Sequence, residues 1–463
     1  MLAVPVHRIL NREPKDACPD GVRDDGNQGE KPMSQNLHQR KIGRRTFLGA
    51  TVAGAAMAGG LAPARLSAAN KTVKIGFLAP LTGPVSAWGL PGLYGCRIWA
   101  EQVNAAGGVR IGDDSYNVEF VSYDNEYATD KAKVGASQLV FDEGVKFIMM
   151  LGGDTWPGVQ RISNESGMLV STLLPSDLSP DTPNLIAPCE VHPIYNVTGV
   201  SWLADNMPEL KTAVICAQDD ALGRPSVATY LAAFEAHGIQ SEDPVFFSLE
   251  TTDFAPVMTK LLSSNPDILC LDTAYADFVH PLCEQAHQQG FKGKIISCTA
   301  DYYEQIIEKT SKEFMEGFIF QFPDFDDPAL NEPQINFAAP NEFYAEYIER
   351  WPDQWSAVSW EYASIMDLWV QGAQRAGSVE PQDVLAGMKQ GGTGKHAFGE
   401  ASWWGKELFG IDNALVGNWP VVVIENGKAV IKEYRSIPDW WSMHGNLLVK
   451  HFTEMGEMYH QRG

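Results

Sequence analysis

The chain has 463 residues, which is too many for one ordinary hydrophobic core, so two lobes are expected. Hydrophobic residues make up 44% and charged residues 20%, the profile of a globular protein, and the formal net charge is −23. Such a charge repels the phosphates of nucleic acids, and no basic stretch interrupts it, which argues against DNA or RNA binding.

The first predicted element is an export signal over residues 33–69. Arg44-Arg45 precede an apolar run of small residues, 49–60, and Ser67-Ala68-Ala69 supply the small side chains that a signal peptidase prefers. The paired arginines resemble the twin-arginine signal, which directs translocation and does not anchor the protein. Because residues 1–32 are polar and unlike any signal, we interpret them as a disordered extension or a misassigned start.

From residue 73 onward, short apolar runs alternate with longer amphipathic runs, which is the pattern of a β-α protein. The predicted strands of the first series are Val73–Ala79, Val118–Tyr123, Val145–Leu151 and Met168–Leu173. The predicted helices between them are Gly92–Val103, Ala128–Phe141 and Val159–Ser166. Consecutive β-α units predict a parallel sheet with helices on both faces.

The same alternation restarts after residue 190. The predicted strands are Thr212–Cys216, Asp243–Phe247, Ile268–Leu271 and Lys294–Cys298. The predicted helices are Ala221–His237, Ala255–Ser264 and Phe278–Gln289. The fold class is therefore predicted to be α/β, with two doubly wound parallel-sheet lobes that face each other across a cleft.

The last third of the chain is predicted to complete both lobes. Phe314–Phe322 is a predicted strand that could cross back to the first lobe. The predicted helices that follow are Asn341–Trp351, Ser359–Ala376 and Pro381–Gln390. Val416–Ile424 and Lys428–Tyr434 are predicted to form a hairpin, because the Asn-Gly step between them supplies the positive φ of a tight turn.

The spacing of the cysteines and the absence of common catalytic motifs from the sequence argue against metal or cofactor chemistry. The six cysteines after the export signal are Cys96, Cys189, Cys216, Cys270, Cys283 and Cys298. None forms a CxxC pair or a Cys/His cluster with metal spacing. The spacing does not decide whether one or two disulfides form in an oxidising compartment. No GxGxxG follows the first strand, and no P-loop, GxSxG or HExxH occurs. We predict a protein that is not an enzyme and has neither cofactor nor metal.

Six motifs in chain order carry a resemblance to a known family. They are FLAPLTGPVSAWG (77–89), VNAAGGV (103–109), YDNE (123–126), DDALG (219–223), TDF (252–254) and NPDI (265–268). Together they resemble the branched-chain amino-acid (Leu/Ile/Val) binding proteins of ABC transporters, which are type I periplasmic binding proteins. The resemblance covers roughly residues 72–435.

The resemblance implies a fold and a partner. The fold would be two lobes joined by a three-crossover hinge that closes over a ligand. The N-terminal lobe would contain residues 71–190 plus 321–415, and the C-terminal lobe residues 191–320 plus 416–463. The exported protein would capture a small-molecule ligand in the periplasm, or another extracytoplasmic space, and pass it to an ABC transporter permease.

The resemblance also places ligand contacts in the first lobe. Trp88 matches a ligand-contacting aromatic residue in the loop after the first strand; otherwise it is a packing tryptophan. Thr155 keeps the hydroxyl chemistry that the family uses for a ligand carboxylate, whereas Asp154 and Trp156 depart from it. Asp154 could equally cap the next helix. Ser176 matches a second hydroxyl contact, or belongs only to its own Pro-Ser-Asp turn.

Two candidate ligand contacts lie in the second lobe. Tyr275 matches a ligand-contacting tyrosine, and Asp301 lies where the family often has an acid that pairs with a ligand ammonium. Asp220 is predicted to cap a helix rather than to bind ligand. Aromatic faces beside carboxylates favour an amine-bearing or amide-like ligand.

Two other functions stay open. The first is a cofactor-containing enzyme exported by the twin-arginine route. The second is a receptor of the same fold that senses a ligand and signals to a protein partner.

Overall fold

The computed structural model describes residues 70–189, 191–272 and 275–462. The predicted export signal, the residues before it and Cys18 lie outside these ranges. Within them, no helix is both long enough and apolar enough to cross a bilayer.

The first lobe is built on a six-stranded sheet with the order β2-β3-β1-β4-β5-β6. Its strands are β1 (Lys71–Ala79), β2 (Val109–Ile111), β3 (Asp114–Asp124), β4 (Ile148–Met150), β5 (Val170–Ser171) and β6 (Leu185–Ile186). Its first three helices are α1 (Leu90–Ala105), α2 (Thr129–Ser137) and α3 (Trp156–Ser166). β1 pairs in parallel with β3 and β4, as the alternation of strands and helices predicts. The short β2 forms an antiparallel edge with β3, which the sequence reasoning missed.

The second sheet has ten strands: β7 (Thr212–Gln218), β8 (Gln240–Ser241), β9 (Val245–Phe247), β10 (Ile268–Leu271), β11 (Lys294–Ser297), β12 (Ile319–Phe320), β13 (Thr393–His396), β14 (Gly399–Trp404), β15 (Ala414–Glu425) and β16 (Lys428–Ser436). Their order is β13-β14-β15-β12-β11-β10-β7-β8, with β16 and β9 paired to β15 and β7. β13 and β14 belong to this sheet and lie in the stretch 321–415 that the resemblance assigns to the first lobe. The strands from β7 to β12 pair with one another in parallel. β12 pairs with β15, and β13 to β16 pair with one another, in antiparallel fashion, so the sheet is mixed but rich in parallel pairs. β15 and β16 form the predicted hairpin at Asn426-Gly427, because a two-residue connection can join only antiparallel strands.

Eleven further helices of the described chain cover the two sheets. They are α4 (Asn196–Asn206), α5 (Gly223–Ala236), α6 (Ala255–Leu262), α7 (Ala276–Gln288), α8 (Tyr303–Lys309), α9 (Lys312–Met315), α10 (Pro340–Arg350), α11 (Val358–Ala376), α12 (Pro381–Lys389), α13 (Lys406–Phe409) and α14 (Ile437–Met455). α11 packs against α1 and α12, whereas α14 packs against α5. The predicted strand Phe314–Phe322 is mostly wrong. Ser311 accepts a hydrogen bond from the Phe314 N–H and begins α9, so only Ile319–Phe320 is a strand.

Aromatic rings fill the space where the chain passes between the lobes. Tyr195 stacks on Trp419 with 5.4 Å between ring centroids. Phe322 lies edge-on to Tyr195 and also contacts Trp360. A short bridge between Ala187 and Ala414 ties the end of the first sheet to the start of β15. These contacts place the carboxyl ends of both sheets next to each other, while the lobe boundaries at residues 190, 320 and 415 stay a prediction.

Candidate ligand-binding cleft

The loop after β1 carries Trp88 toward the second lobe. The loop turns sharply at Gly89, where a Cβ atom would lie only 2.0 Å from the Pro80 carbonyl oxygen. Trp88 is 1% exposed and packs edge-on to Phe322. Trp88 and Tyr275 line one cavity of about 600 Å³. The structure therefore brings together a predicted aromatic contact from each lobe.

The loop after β4 is shaped by two glycines. Gly152 and Gly153 have φ values of +101° and +60°, and a Cβ atom on Gly152 would overlap Thr172 and Asp177. The hydroxyl of Thr155 is fully buried and donates to the Gly152 carbonyl oxygen at 2.8 Å. Thr155 therefore closes its own loop and lines none of the cavities described here.

Asp154, Trp156 and Ser176 share a second cavity, of about 670 Å³. Asp154 is exposed at the cavity wall and caps neither of the helical turns that begin at its loop, so the capping alternative is wrong. Trp156 begins α3 and is 4% exposed. Partial burial raises the pKa of Asp154.

Asp177 is a residue of this cavity that the sequence reasoning missed. Its carboxylate accepts hydrogen bonds from the Gly153 N–H, at 3.0 and 3.2 Å, and from the Thr172 hydroxyl, at 2.8 Å. Burial nevertheless raises the pKa of Asp177 to about 7, against the opposing influence of nearby Arg462. In the sequence, the Pro-Ser-Asp motif indicates only a turn. The contact of Asp177 with Gly153, which lies 24 residues earlier in the chain, is visible only in the structure.

Tyr127 and Tyr275 meet where the two lobes face each other. The hydroxyl of Tyr275 lies 3.5 Å from Asp220 Oδ2 and also interacts with the hydroxyl of Tyr127 from the first lobe. Asp220 accepts from the N–H groups of Leu222 and Gly223 at 3.0 and 2.8 Å, which confirms the predicted helix cap. Burial, with a smaller contribution from the charge of Asp154, raises the pKa of Asp220 to about 6. The missed Tyr127 follows the YDNE motif directly.

Asp272 is a second buried acid that the sequence reasoning missed. It follows β10 directly and is 1% exposed. Ser226 donates its hydroxyl to Asp272 and accepts from the Asn196 side chain at 3.0 Å. Burial raises the pKa of Asp272 well above its usual range. The position of Asp272 at the carboxyl end of a predicted strand is the sequence feature that could have identified it.

Asp301 lies apart from the other predicted contacts, in a third cavity of about 650 Å³. Its Oδ1 accepts a hydrogen bond from the Ala357 N–H at 2.7 Å, at the start of α11. Burial raises its pKa to about 7. The predicted contacts that line a cavity therefore fall into three separate ones: Trp88 with Tyr275, Asp154 with Trp156 and Ser176, and Asp301 alone.

Two α/β lobes whose strand-end loops meet over buried aromatic rings define a two-lobed binding protein. A family model described as "periplasmic binding protein" matches residues 72–429. The chain belongs to this family, and its resemblance to the Leu/Ile/Val-binding, type I branch is confirmed.

Relatives agree with this assignment. The chain is 27% identical over 237 residues to Leu/Ile/Val-binding protein homolog 3 of Brucella melitensis. That alignment covers 50% of this chain and 62% of the relative, which is less than two thirds of the relative's length.

Two solved structures share the fold. The leucine binding protein LivK of Thermotoga maritima has 20% sequence identity and a TM-score of 0.64, covering 79% of this chain and 99% of that one. An ABC transporter solute binding protein of Rhodopseudomonas palustris in complex with p-hydroxybenzoic acid has 19% identity and a TM-score of 0.64, covering 80% and 99%. The two-lobed fold with parallel-rich sheets is thereby confirmed.

Proposed function

We propose that the chain is the exported solute-binding component of an ABC transporter. It captures a small polar ligand where the strand-end loops of the two lobes meet, and it delivers that ligand to a membrane permease without chemical change. The observation that carries this proposal is the shared cavity between Trp88 of the first lobe and Tyr275 of the second. Family membership over residues 72–429 supports it.

The charges around the junction favour a ligand with an amine or amide group. Burial raises the pKa values of Asp177 and Asp220, and the nearby charge of Asp154 adds a smaller contribution to each. A positively charged or hydrogen-bond-donating ligand would relieve this repulsion, because an opposite charge stabilises ionised carboxylates. Trp88 and Tyr275 offer aromatic faces to such a group. We propose Trp88, Asp154, Trp156, Ser176 and Tyr275 as ligand contacts and leave Thr155 to a structural role.

An aromatic carboxylate is a second candidate ligand. The p-hydroxybenzoate complex of the similar Rhodopseudomonas palustris protein favours it. The acids of the junction disfavour it, because an anionic ligand would meet like charges unless those carboxyls were protonated. The two candidates therefore predict opposite pH dependence: affinity for a cationic ligand rises between pH 5 and 8, and affinity for a benzoate falls.

Thermal unfolding of purified residues 70–463 tests the proposal. The panel contains leucine, valine, aliphatic amides, alkylamines, p-hydroxybenzoate and dicarboxylates. We expect an amine- or amide-bearing compound to raise the melting temperature, because a ligand that binds only the folded state stabilises it. If dicarboxylates or benzoates alone raise it, the proposed ligand class is wrong.

Site variants locate the binding. We expect Trp88→Ala and Tyr275→Ala each to weaken binding of the stabilising ligand by at least tenfold. Phe141→Ala is the matched control, because this aromatic side chain is 65% exposed and lines neither the cavity of Trp88 and Tyr275 nor that of Asp154. Equal binding by all three variants would contradict the proposed site.

Export by the twin-arginine route is proposed from the sequence. Replacement of Arg44 and Arg45 by lysine in the full chain tests it. We expect the precursor to accumulate inside the cell, whereas the unaltered chain is exported and processed. Normal export of the lysine variant would show that another route is used.

A further inference from the structure

A side cavity lies next to the ligand cleft, on the far side of Tyr302. It occupies about 650 Å³ between α8, the segment that follows β12, and α10. This volume lies in the usual range for small-molecule sites. Tyr302, Gln305, Lys309 and Asp353 line both this cavity and the cavity of Trp88 and Tyr275, so the two spaces are neighbours. Asp301, Asp324, Tyr344 and Trp355 line only the side cavity.

One wall of the side cavity is aromatic. Tyr344 and Trp355 meet edge-on, with 4.7 Å between their ring centroids, and both are half-buried. Trp355 is backed by the buried rings of Phe343 and Tyr347, which hold its orientation. Ring faces of this kind attract cations through their quadrupole.

Acidic side chains line the same cavity. Asp324 Oδ2 accepts a hydrogen bond from the Tyr303 hydroxyl at 2.8 Å, and its side chain is half-buried. Asp301 is 7% exposed, and its Oδ2 atom has no hydrogen-bond partner although its Oδ1 is bound by the Ala357 N–H. A buried carboxylate oxygen without a donor is costly, so a ligand that supplied positive charge there would be favoured.

The rim adds to the negative charge. Glu304, Glu308 and Asp353 line the cavity and are exposed. Among the described lining residues the basic side chain is Lys309, whose Nζ lies 2.9 Å from Glu284. The cavity therefore presents a net negative charge to any ligand.

The chemistry favours an organic cation over a metal ion. The described residues contain no group of three or more His, Cys, Asp or Glu side chains that could hold a metal. Hard metal ions require several oxygen ligands, whereas this cavity pairs its carboxylates with ring faces. Alkylated ammonium groups, which are weakly hydrated and contact ring faces, fit this combination.

We propose that the side cavity of Asp301, Asp324, Tyr344 and Trp355 binds a small organic cation of the alkylammonium or quaternary ammonium class, separately from the ligand of the Trp88–Tyr275 cleft. Burial raises the pKa of both Asp301 and Asp324 to about 7.

Titration calorimetry with choline chloride tests the proposal on purified residues 70–463. The neutral comparison is 3,3-dimethylbutan-1-ol, which has the shape of choline without its charge. We expect choline to bind at least tenfold more tightly than the alcohol at pH 8. Equal binding, or no choline binding, would overturn the proposal.

Variants place the choline site. Asp324→Asn keeps the acceptor for Tyr303, and Asp301→Asn keeps the acceptor for Ala357, so both remove charge with little change in shape. We expect each to weaken choline binding by about tenfold, which corresponds to about 1.4 kcal/mol. Asp326→Asn is the matched control, because Asp326 is exposed and does not line the cavity, and we expect it to bind choline normally.

One further variant separates this proposal from the proposed function. If Tyr275→Ala abolishes choline binding while Asp324→Asn does not alter it, choline occupies the interlobe cleft and the side-cavity proposal is wrong. If Tyr275→Ala retains choline binding but loses the stabilising ligand, the two sites are separate, as proposed. If choline binds but no ligand is found for the cleft, the side-cavity proposal is supported and only the transport proposal is wrong.

Discussion

Asp177 in the first lobe and Asp301 in the second occupy similar positions with different bonding. Each lies in a loop beyond the carboxyl end of a parallel strand, and burial raises the pKa of each to about 7. Asp177 uses both oxygens to tie the Gly153 N–H and the Thr172 hydroxyl together, whereas Asp301 uses only Oδ1. A raised pKa therefore does not distinguish a loop-closing acid from one with a spare oxygen; the hydrogen-bond partners do.

The largest expected effect concerns the backbone that Asp177 holds. We expect Gly152→Ala to lower the free energy of unfolding by about 2–4 kcal/mol, because φ is +101° and the new Cβ would overlap Thr172 and Asp177. Gly144→Ala is the matched control: φ is also positive, at +66°, but nothing lies within 4 Å, so we expect a loss of only about 1 kcal/mol. Urea denaturation measures both. Equal losses would mean that the packing around Asp177 contributes nothing.

The second-largest loss of stability is expected when Asp177 or Asp301 is replaced by alanine. Asp177→Ala leaves the Gly153 N–H without an acceptor and removes one acceptor of the Thr172 hydroxyl, which keeps the Leu151 carbonyl oxygen at 3.0 Å. The loss should be about 2–3 kcal/mol, whereas Asp301→Ala removes one hydrogen bond and should cost about 1 kcal/mol. The measurement is urea denaturation at pH 5, where both carboxyls are largely protonated. The reverse order of losses would contradict the division between a loop-closing acid and an acid with a spare oxygen.

The pH dependence of stability sharpens the comparison at Asp301. A carboxyl whose pKa is raised on folding makes the folded state less stable as pH rises from the ordinary value near 4 toward 7. We expect Asp301→Asn to remove this loss, so its stability relative to the unaltered chain should rise by about 1–3 kcal/mol between pH 4 and 8. Asp326→Asn is the exposed control. If the difference in stability between Asp301→Asn and the unaltered chain does not change with pH, ionising Asp301 in the folded state costs little free energy.

The smallest expected effect concerns Arg462, which lies beside Asp177. Arg462 donates to the Leu178 carbonyl oxygen at 3.2 Å and lies over the Phe409 ring at 5.9 Å. We expect Arg462→Ala to cost about 0.5–1 kcal/mol and to raise the pKa of Asp177. The control is Arg161→Ala, whose side chain is 84% exposed and whose ion pair with Glu165 should contribute less than about 0.5 kcal/mol. NMR titration of labelled aspartate follows the pKa.

Much of the fold was predictable because its strands are short, apolar and separated by amphipathic helices. Ile268–Leu271 was predicted with its observed bounds, and Val73–Ala79 within two residues. In the antiparallel part of the second sheet the hairpin of β15 and β16 was predicted, but the pairings of β12, β13 and β14 were not, since pairing direction depends on which strands become neighbours. α14 was missed although Ser436 accepts from the Asp439 N–H and Pro438 follows it, which is a recognisable helix start.

The site was less predictable than the fold. The family motifs located Trp88 and Tyr275, which line one cavity, because they follow strand ends of fixed spacing. They could not show that the Thr155 hydroxyl turns back to Gly152, or that Asp301 faces a separate cavity. Those outcomes depend on contacts with distant segments, such as α11 at Ala357, which no local pattern encodes.

The cysteines of the described chain have a practical consequence. All six are buried, and burial raises the pKa of the Cys96, Cys216, Cys270 and Cys283 thiols. Their reactivity toward maleimide reagents should therefore be low in the native protein. A pair of cysteines introduced on the outer surfaces of the two lobes could carry fluorescent dyes without removal of the native thiols. Distance changes between the dyes would then report opening and closing in solution, one molecule at a time.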